Sequence, residues 1–148
     1  MFELDLHDSI VINRPLEEVF NYMDDIEKEH EWQPYLRKWV QSPDPHQNGV
    51  GMIRRYHNRY MGRSFSNEYE VVVYEPMEKV MFVSTPQAAV QAEGGTLWEP
   101  ANGGTKVTFL FKPQLGDFWG FVPKAIVQRI YMGTLSSNMR RLKDVLES

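Results

Sequence analysis

The chain contains no cysteine, which excludes a disulfide framework and any thiol chemistry and suits a reducing compartment. Histidine is scarce. His7, His30, His46 and His57 stand apart, no two at ligand spacing, and His30-Glu31 lacks the second histidine of a zinc helix. Neither a metal nor a cofactor is expected. There is no G-x-S-x-G elbow, and Gly94-Gly95 and Gly103-Gly104 lack the spacing of phosphate or dinucleotide loops. No apolar run approaches the length of a membrane span. The first thirteen residues alternate and hold three acids, without the basic and apolar regions of a signal peptide. The net charge is −4 and no basic stripe carries interleaved aromatics, so nucleic acid is not an expected partner. These absences leave a cytoplasmic monomer or homodimer, with transient membrane contact at most.

At 148 residues the chain suits one domain, 1–148, with a core of its own. Residues 2–13 alternate and then become continuously apolar, as a first strand does. Pro15 with Glu17 and Glu18 opens a short helix over residues 15–25, with Leu16, Val19, Phe20 and Met23 on its apolar side. A second short helix or turn covers 26–35, holds Trp32 and ends at Pro34. The acids from Asp24 to Glu31 read as a solvated helical face. A strand over 36–42 and a loop over 42–51 follow. Past the central strands, 87–93 is weakly strand-like, Gly94-Gly95 is a turn or bulge, 96–99 is a strand and 100–104 a hairpin loop. Residues 105–113 alternate, with Val107, Phe109 and Phe111 inward. Pro123 opens a long helix to about residue 146, and small residues around Gly133 and Thr134 leave room for a ligand or for close packing.

The stretch 51–86 organises the rest. It reads as three antiparallel strands joined by Gly62-Arg63, suited to a type II′ turn, and Pro76-Met77, suited to a type I turn. Met61 opposite Ser64 would pair Tyr60 with Phe65, Arg54 with Val71 and Arg55 with Glu70. The second turn would pair Val73 with Val80, Val71 with Phe82 and Tyr69 with Ser84. One face then carries opposite charges. The other carries Met52, Arg54, Tyr56, Asn58, Tyr60, Phe65, Asn67, Tyr69, Val71, Val73, Val80, Phe82 and Ser84. Polar groups are costly on a plain inner face, so this mixture suits a ligand cavity. The competing reading places the polar groups near strand ends, in water.

Seven pieces in order then carry a resemblance. They are Ile12-Asn13-Arg14-Pro15-Leu16-Glu17-Glu18-Val19-Phe20, Trp32-Gln33-Pro34, Gly49-Val50-Gly51, Gly62, Glu75-Pro76, Gly103-Gly104-Thr105-Lys106-Val107-Thr108 and Leu142-Lys143-Asp144-Val145-Leu146-Glu147. Nearly the whole chain resembles the START-related helix-grip superfamily of polyketide cyclases/dehydratases, aromatic-ligand carriers and lipid-transfer proteins. The resemblance implies an α+β helix-grip fold: a curved antiparallel sheet of six to seven strands around a long C-terminal helix, two short helices after the first strand, and a hydrophobic cavity. It transfers no catalytic residue.

The ligand-binding set is therefore Met52, Arg54, Tyr56, Asn58, Tyr60, Phe65, Asn67, Tyr69, Val71, Phe82, Ser84, Phe109, Phe111, Tyr131 and Thr134. Arg54 is its sharpest member, because a buried guanidinium favours a carboxylate, enolate or carbonyl oxygen. Arg54, Tyr56 and Tyr69 are the catalytic candidates if a reaction occurs. Pairing of Arg54 with a carboxylate such as Asp8, or its exposure at a strand end, remains open. So does the role of Phe118, Trp119 and Phe121 as core or as cavity lid. Binding of a small, mostly apolar ligand with an oxygen or acidic group leads. A polyketide cyclase/dehydratase-type enzyme and a protein-interaction module are the alternatives, and no acid is placed on the inner face.

Overall fold

The computed structural model describes residues 2–33, 36–42, 49–60, 63–116, 120 and 122–148; side chains at 2, 26, 36–42, 57–60, 63 and 65 fall outside that description. The expected segment 118–121 lies almost wholly outside it. Strands β1 (Phe2–Glu3) and β2 (Leu6–Ile12) come first, then helix α1 (Leu16–Asp24), a 3₁₀ turn (Ile26–Lys28) and α2 (Glu29–Trp32). Next are β3 (Leu36–Ser42), β4 (Ile53–Tyr60), β5 (Arg63–Glu75), β6 (Lys79–Ser84), β7 (Ala92–Ala101) and β8 (Gly104–Leu115). Helix α3 (Lys124–Glu147) closes the chain. The antiparallel sheet runs β1-β8-β7-β6-β5-β4-β3, and β2 also pairs with β8. The expected first strand is thus one ribbon broken at residues 4 and 5, where the Leu4 amide donates to the Pro113 oxygen at 3.1 Å.

The β4–β5 register differs from expectation by two residues. Tyr60 pairs with Arg63, and Arg54 with Tyr69. Arg63 belongs to β5, so it is not a turn residue as expected; residues 61 and 62 lie outside the described residues. A shift of two leaves each side chain on its original face. Only the partners change: Arg55 meets Glu68, not Glu70.

That pair is tight. Arg55 Nε donates to Glu68 Oε2 at 2.7 Å, and the Thr85 hydroxyl donates to Glu68 Oε1 at 2.8 Å. The hydrogen bonds from Thr85 and Arg55 hold the Glu68 carboxyl below the ordinary carboxylate range. Its folded value lies below its unfolded one, so its contribution is full above the unfolded value and is lost as pH falls through the folded value. Glu68→Gln is expected to lower Tm at neutral pH and to flatten the acid limb of the Tm profile. An acid limb identical to the parent's would show that the pair does not govern acid stability.

At the next turn Met77 has φ 64° and the Glu78 amide bonds the Glu75 oxygen at 3.0 Å. Positive φ at the third position fits a type II turn and rules out the expected type I. Glu75 pairs with Lys79, one residue later than expected, and a bulge at Val72 absorbs the difference. Val71 thus still faces Phe82, and Tyr69 still faces Ser84. Between bulge and turn the faces swap. Val73 pairs with Met81 instead of Val80, and Tyr74 turns inward opposite Val80.

Two further expectations change. Residues 86–91 form turns and bends, and β7 begins at Ala92. Gly94 and Gly95 are then neither turn nor bulge but lie mid-strand, paired on both sides. Gly94 stands between Phe82 and Phe111 in the pairing, so no side chain fills the sheet surface between those rings. The loop expected at 100–104 narrows to Asn102-Gly103, with φ 48° and 81°, a type I′ hairpin.

Helix α3 is fastened at two places. Near its start Val127 packs with Leu4, Leu6 and Leu115. Near its end Met139, Leu142 and Leu146 join Ile12, Val19, Phe20, Trp98 and Val107. Between them, from 128 to 138, every residue is half-buried or exposed. Gly133 faces open space, with nothing within 4 Å of where a Cβ would stand, so it does not serve close packing.

Candidate functional site

Alternate residues of β4 and β5 bring Arg54, Tyr56 and Tyr69 to one face of the sheet. The Tyr69 ring lies 6.0 Å from Tyr56 and 4.7 Å from Phe82. Burial pushes its hydroxyl up, helped by Tyr131 on α3. Tyr131 in turn stacks tilted on Phe111, 5.6 Å away. Tyr69, Phe82, Phe111, Tyr131 and Thr134, all on facing surfaces of sheet and helix, are only half-buried.

The acid of the site comes from α2. Glu29 and Trp32 stand three residues apart, one helical turn, and both are buried. Glu29 is only 7% exposed, while Glu27, Lys28 and His30 beside it face water. This corrects the reading of 24–31 as a wholly solvated face. The Tyr56 hydroxyl donates to Glu29, 3.2 Å from Oε1 and 3.3 Å from Oε2, and Gln33 Nε2 donates to Oε1 at 2.9 Å. Arg54 donates to the same Tyr56 hydroxyl. The result is a chain, Arg54 to Tyr56 to Glu29, closed by Gln33.

Burial pushes the Glu29 carboxyl up, against the pull of Arg54 and the two hydrogen bonds. Burial and the Glu29 charge push the Tyr56 hydroxyl up as well. For Arg54, burial works against the charge, but Tyr56 and Glu29 more than offset it, and the guanidinium stays protonated. Asp24 at the end of α1 adds to that field and accepts from the Tyr74 hydroxyl at 2.7 Å. Burial, then Asp24, pushes Tyr74 up to about 12.

Among the described residues, three buried side-chain polar atoms have no hydrogen-bond partner: Arg54 Nε, Trp32 Nε1 and Asn138 Oδ1. They come from β4, α2 and α3. Each such atom costs about 1–3 kcal/mol relative to a satisfied one, so native proteins hold few of them.

Other expected residues separate. Asn67 Oδ1 accepts from the Val90 amide at 3.3 Å; the Ser84 hydroxyl donates to Gln91 Oε1 and accepts from the Ala92 amide, both at 2.9 Å. The 85–92 connection thus satisfies these two. Met52 and Val71 are buried in the main core, and Phe109 is buried there with its ring 5.9 Å from Trp32. The side chains of Asn58, Tyr60 and Phe65 lie outside the described residues. Arg54 finds its carboxylate in Glu29, through Tyr56, and not in Asp8. Glu29 escaped notice although its position one turn before Trp32 placed both on one helix side. Among the described residues no three His, Asp or Glu side chains converge to hold a metal ion.

The family model described as polyketide cyclase / dehydrase and lipid transport matches residues 3–147. The chain belongs to this family. Solved structures agree on its helix-grip fold. The Zhui aromatase/cyclase from Streptomyces sp. R1128 matches with a TM-score of 0.78 and 12% identity, over 99% of this chain and 94% of that one. A protein from Thermus thermophilus matches with a TM-score of 0.77 and 18% identity, over 95% of each chain. The di-domain aromatase/cyclase StfQ of the steffimycin biosynthetic pathway matches with a TM-score of 0.77 and 13% identity, over 98% of this chain and 51% of that one. No curated protein sequence matches the chain. As a polyketide cyclase/dehydrase and lipid transport family member, the chain has a fold suited to small hydrophobic ligands. Among the described residues no helix is long and apolar enough to cross a membrane.

Proposed function

We propose that residues 1–148 act as one domain that binds a small hydrophobic molecule bearing an oxygen function, held between the sheet and α3. The observation that carries this is the incomplete burial of facing inner surfaces. A helix packed to fill its sheet would bury Tyr131, Thr134, Leu135 and Asn138, yet all are half-buried, as are Tyr69, Phe82 and Phe111 opposite. The unpartnered Arg54 Nε supplies a donor for a ligand oxygen. Tyr56 completes the sheet side of this proposed lining.

The test uses two naphthalenes of similar shape, 2-acetylnaphthalene and 2-ethylnaphthalene, in fluorescence titrations. Both are expected to bind saturably at one site. Arg54→Met is expected to weaken the ketone by about tenfold, the worth of one charge-assisted hydrogen bond, and to leave the hydrocarbon within about twofold. A circular-dichroism melt checks that the variant is folded. Equal losses would show that Arg54 does not read the oxygen, and saturable binding of neither compound would overturn the cavity.

A second reading is cyclase/dehydratase-type catalysis. It is favoured by the Arg54–Tyr56–Glu29 chain, which sets a cation for a developing enolate beside a tyrosine and a carboxylate able to pass a proton. Two of the similar structures are named as aromatase/cyclases. Turnover of a polycarbonyl substrate that fails in Tyr56→Phe would decide for it.

A further inference from the structure

The ligand-binding reading leaves open which oxygen function the interior accepts, and the charges around Arg54 bear on that choice. We propose that Glu29 is a built-in counter-ion that makes the site select neutral carbonyl-bearing ligands over carboxylates, and that admits a carboxylate only with uptake of one proton. This rests on the ligand-binding reading given above.

Acids and hydroxyls from several elements surround the guanidinium. Glu29 is buried and accepts from Tyr56 and Gln33. Arg54 reaches it through the Tyr56 hydroxyl. On the α1 side Asp24 adds a second carboxylate to the field of Arg54. Among the described residues, the charged group that acts on Glu29 is Arg54 from β4; Tyr56 from β4 and Gln33 from α2 act through hydrogen bonds. From β5, the Tyr74 hydroxyl donates to Asp24. From α3, Arg141 reaches α2 but binds the Glu31 carbonyl oxygen at 2.7 Å. On α1 and the 3₁₀ turn, Asp25 pairs with Lys28 at 3.9 Å. Two carboxylates therefore already stand in the field of one guanidinium.

The unpartnered atom is Arg54 Nε, an N–H donor. A carbonyl oxygen satisfies it without adding charge. A carboxylate placed there brings another negative charge beside Glu29 in a poorly solvated interior, where like charges disfavour ionisation. The least costly response is protonation of Glu29, which keeps its hydrogen bond from Gln33 and can still accept from Tyr56. Burial already pushes the Glu29 carboxyl up, in the direction that favours this proton. An anionic ligand raises the Glu29 pKa further, so its affinity is highest at low pH, where Glu29 is already protonated. It then falls as pH rises between the free and ligand-bound pKa values.

The experiment compares 2-acetylnaphthalene with 2-naphthoate, on the parent protein and on Glu29→Gln, from about pH 5 to about pH 9, where the naphthoate itself stays ionised. At the alkaline end the ketone is expected to be preferred by at least about tenfold. Naphthoate affinity is expected to rise as pH falls, by up to about tenfold per pH unit, while the ketone stays flat. Glu29→Gln should raise the naphthoate-to-ketone affinity ratio about tenfold at the alkaline end and remove the pH dependence of naphthoate binding. If that variant fails to fold, the pH series on the parent protein decides alone. A naphthoate affinity independent of pH overturns the counter-ion role, as does an unchanged ketone-to-naphthoate ratio in Glu29→Gln. Both outcomes leave ligand binding intact. Failure of both compounds to bind either protein at any pH overturns ligand binding itself, and the counter-ion with it.

Discussion

Gly95→Val is expected to prevent stable folding. A Cβ at Gly95 would run into the Val80 carbonyl oxygen, and would stand 2.6 Å from Met81 Sδ and 2.9 Å from Met81 Cα. The sulfur can swing away. The β6 backbone cannot, because Val80 and Phe82 are paired with Thr96 and Gly94 on β7. Gly94 is similarly placed on the other side, against the Leu110 carbonyl and 3.2 Å from Phe111 Cα. Overpacking typically costs about 1–3 kcal/mol even when side chains can yield. Displacing a backbone in mid-sheet adds lost ladder bonds, against a total stability of about 5–15 kcal/mol for an ordinary domain. The measurement is a thermal melt by circular dichroism. A Tm drop of less than about 5 °C, equivalent to roughly 2 kcal/mol at this size, would show that β6 and β7 are not held as described.

Trp98→Ala carries the next largest expected loss. Trp98 is buried on β7, meets Phe20 of α1 edge-on at 4.9 Å and points Nε1 at Met23 Sδ, 3.2 Å away. It therefore joins the sheet to α1, which leads through the 3₁₀ turn to Glu29. Truncating a buried tryptophan costs about 3–5 kcal/mol, as lost transfer energy plus the cavity left behind. Urea unfolding should show that loss, with Trp98→Phe recovering more than half of it. A loss under about 1 kcal/mol would mean that α1 is held elsewhere. Because α1 positions α2, Trp98→Ala is also expected to loosen ligand binding in protein that remains folded.

Much of this was legible in the sequence, and the misses have physical causes. Hydrophobic alternation placed Arg54, Tyr56, Tyr69 and Val71 on one face even though the turn was misplaced, since a slip of two residues changes partners but not faces. The sequence pattern could not show the bulge at Val72, because one extra residue in a strand offset one extra residue in the turn at 76–78. Gly94-Gly95 looked like punctuation because glycine signals a turn more often than a close approach of three strands. Asn67 and Ser84 looked like ligand contacts, but their partners sit in the 85–92 connection, beyond the reach of any periodicity argument. Glu29 was hidden by its company. In a run of acids the default is a solvated face, and only packing against β4 and α3 singles out the one that is buried.

Helix α3 has its two fastenings at Val127 and at Met139–Leu142–Leu146, with the stretch from 128 to 138 left between them. The arrangement is that of a beam on two supports. The buried contacts concentrate at the supports, and the span over the sheet is held more lightly. Between the supports, Tyr131 and Leu135 lean on the two clusters as half-buried side chains rather than as members of them. A helix seated at its two ends ties its placement to a few buried side chains at each, so the frame depends on those positions far more than on the residues between them.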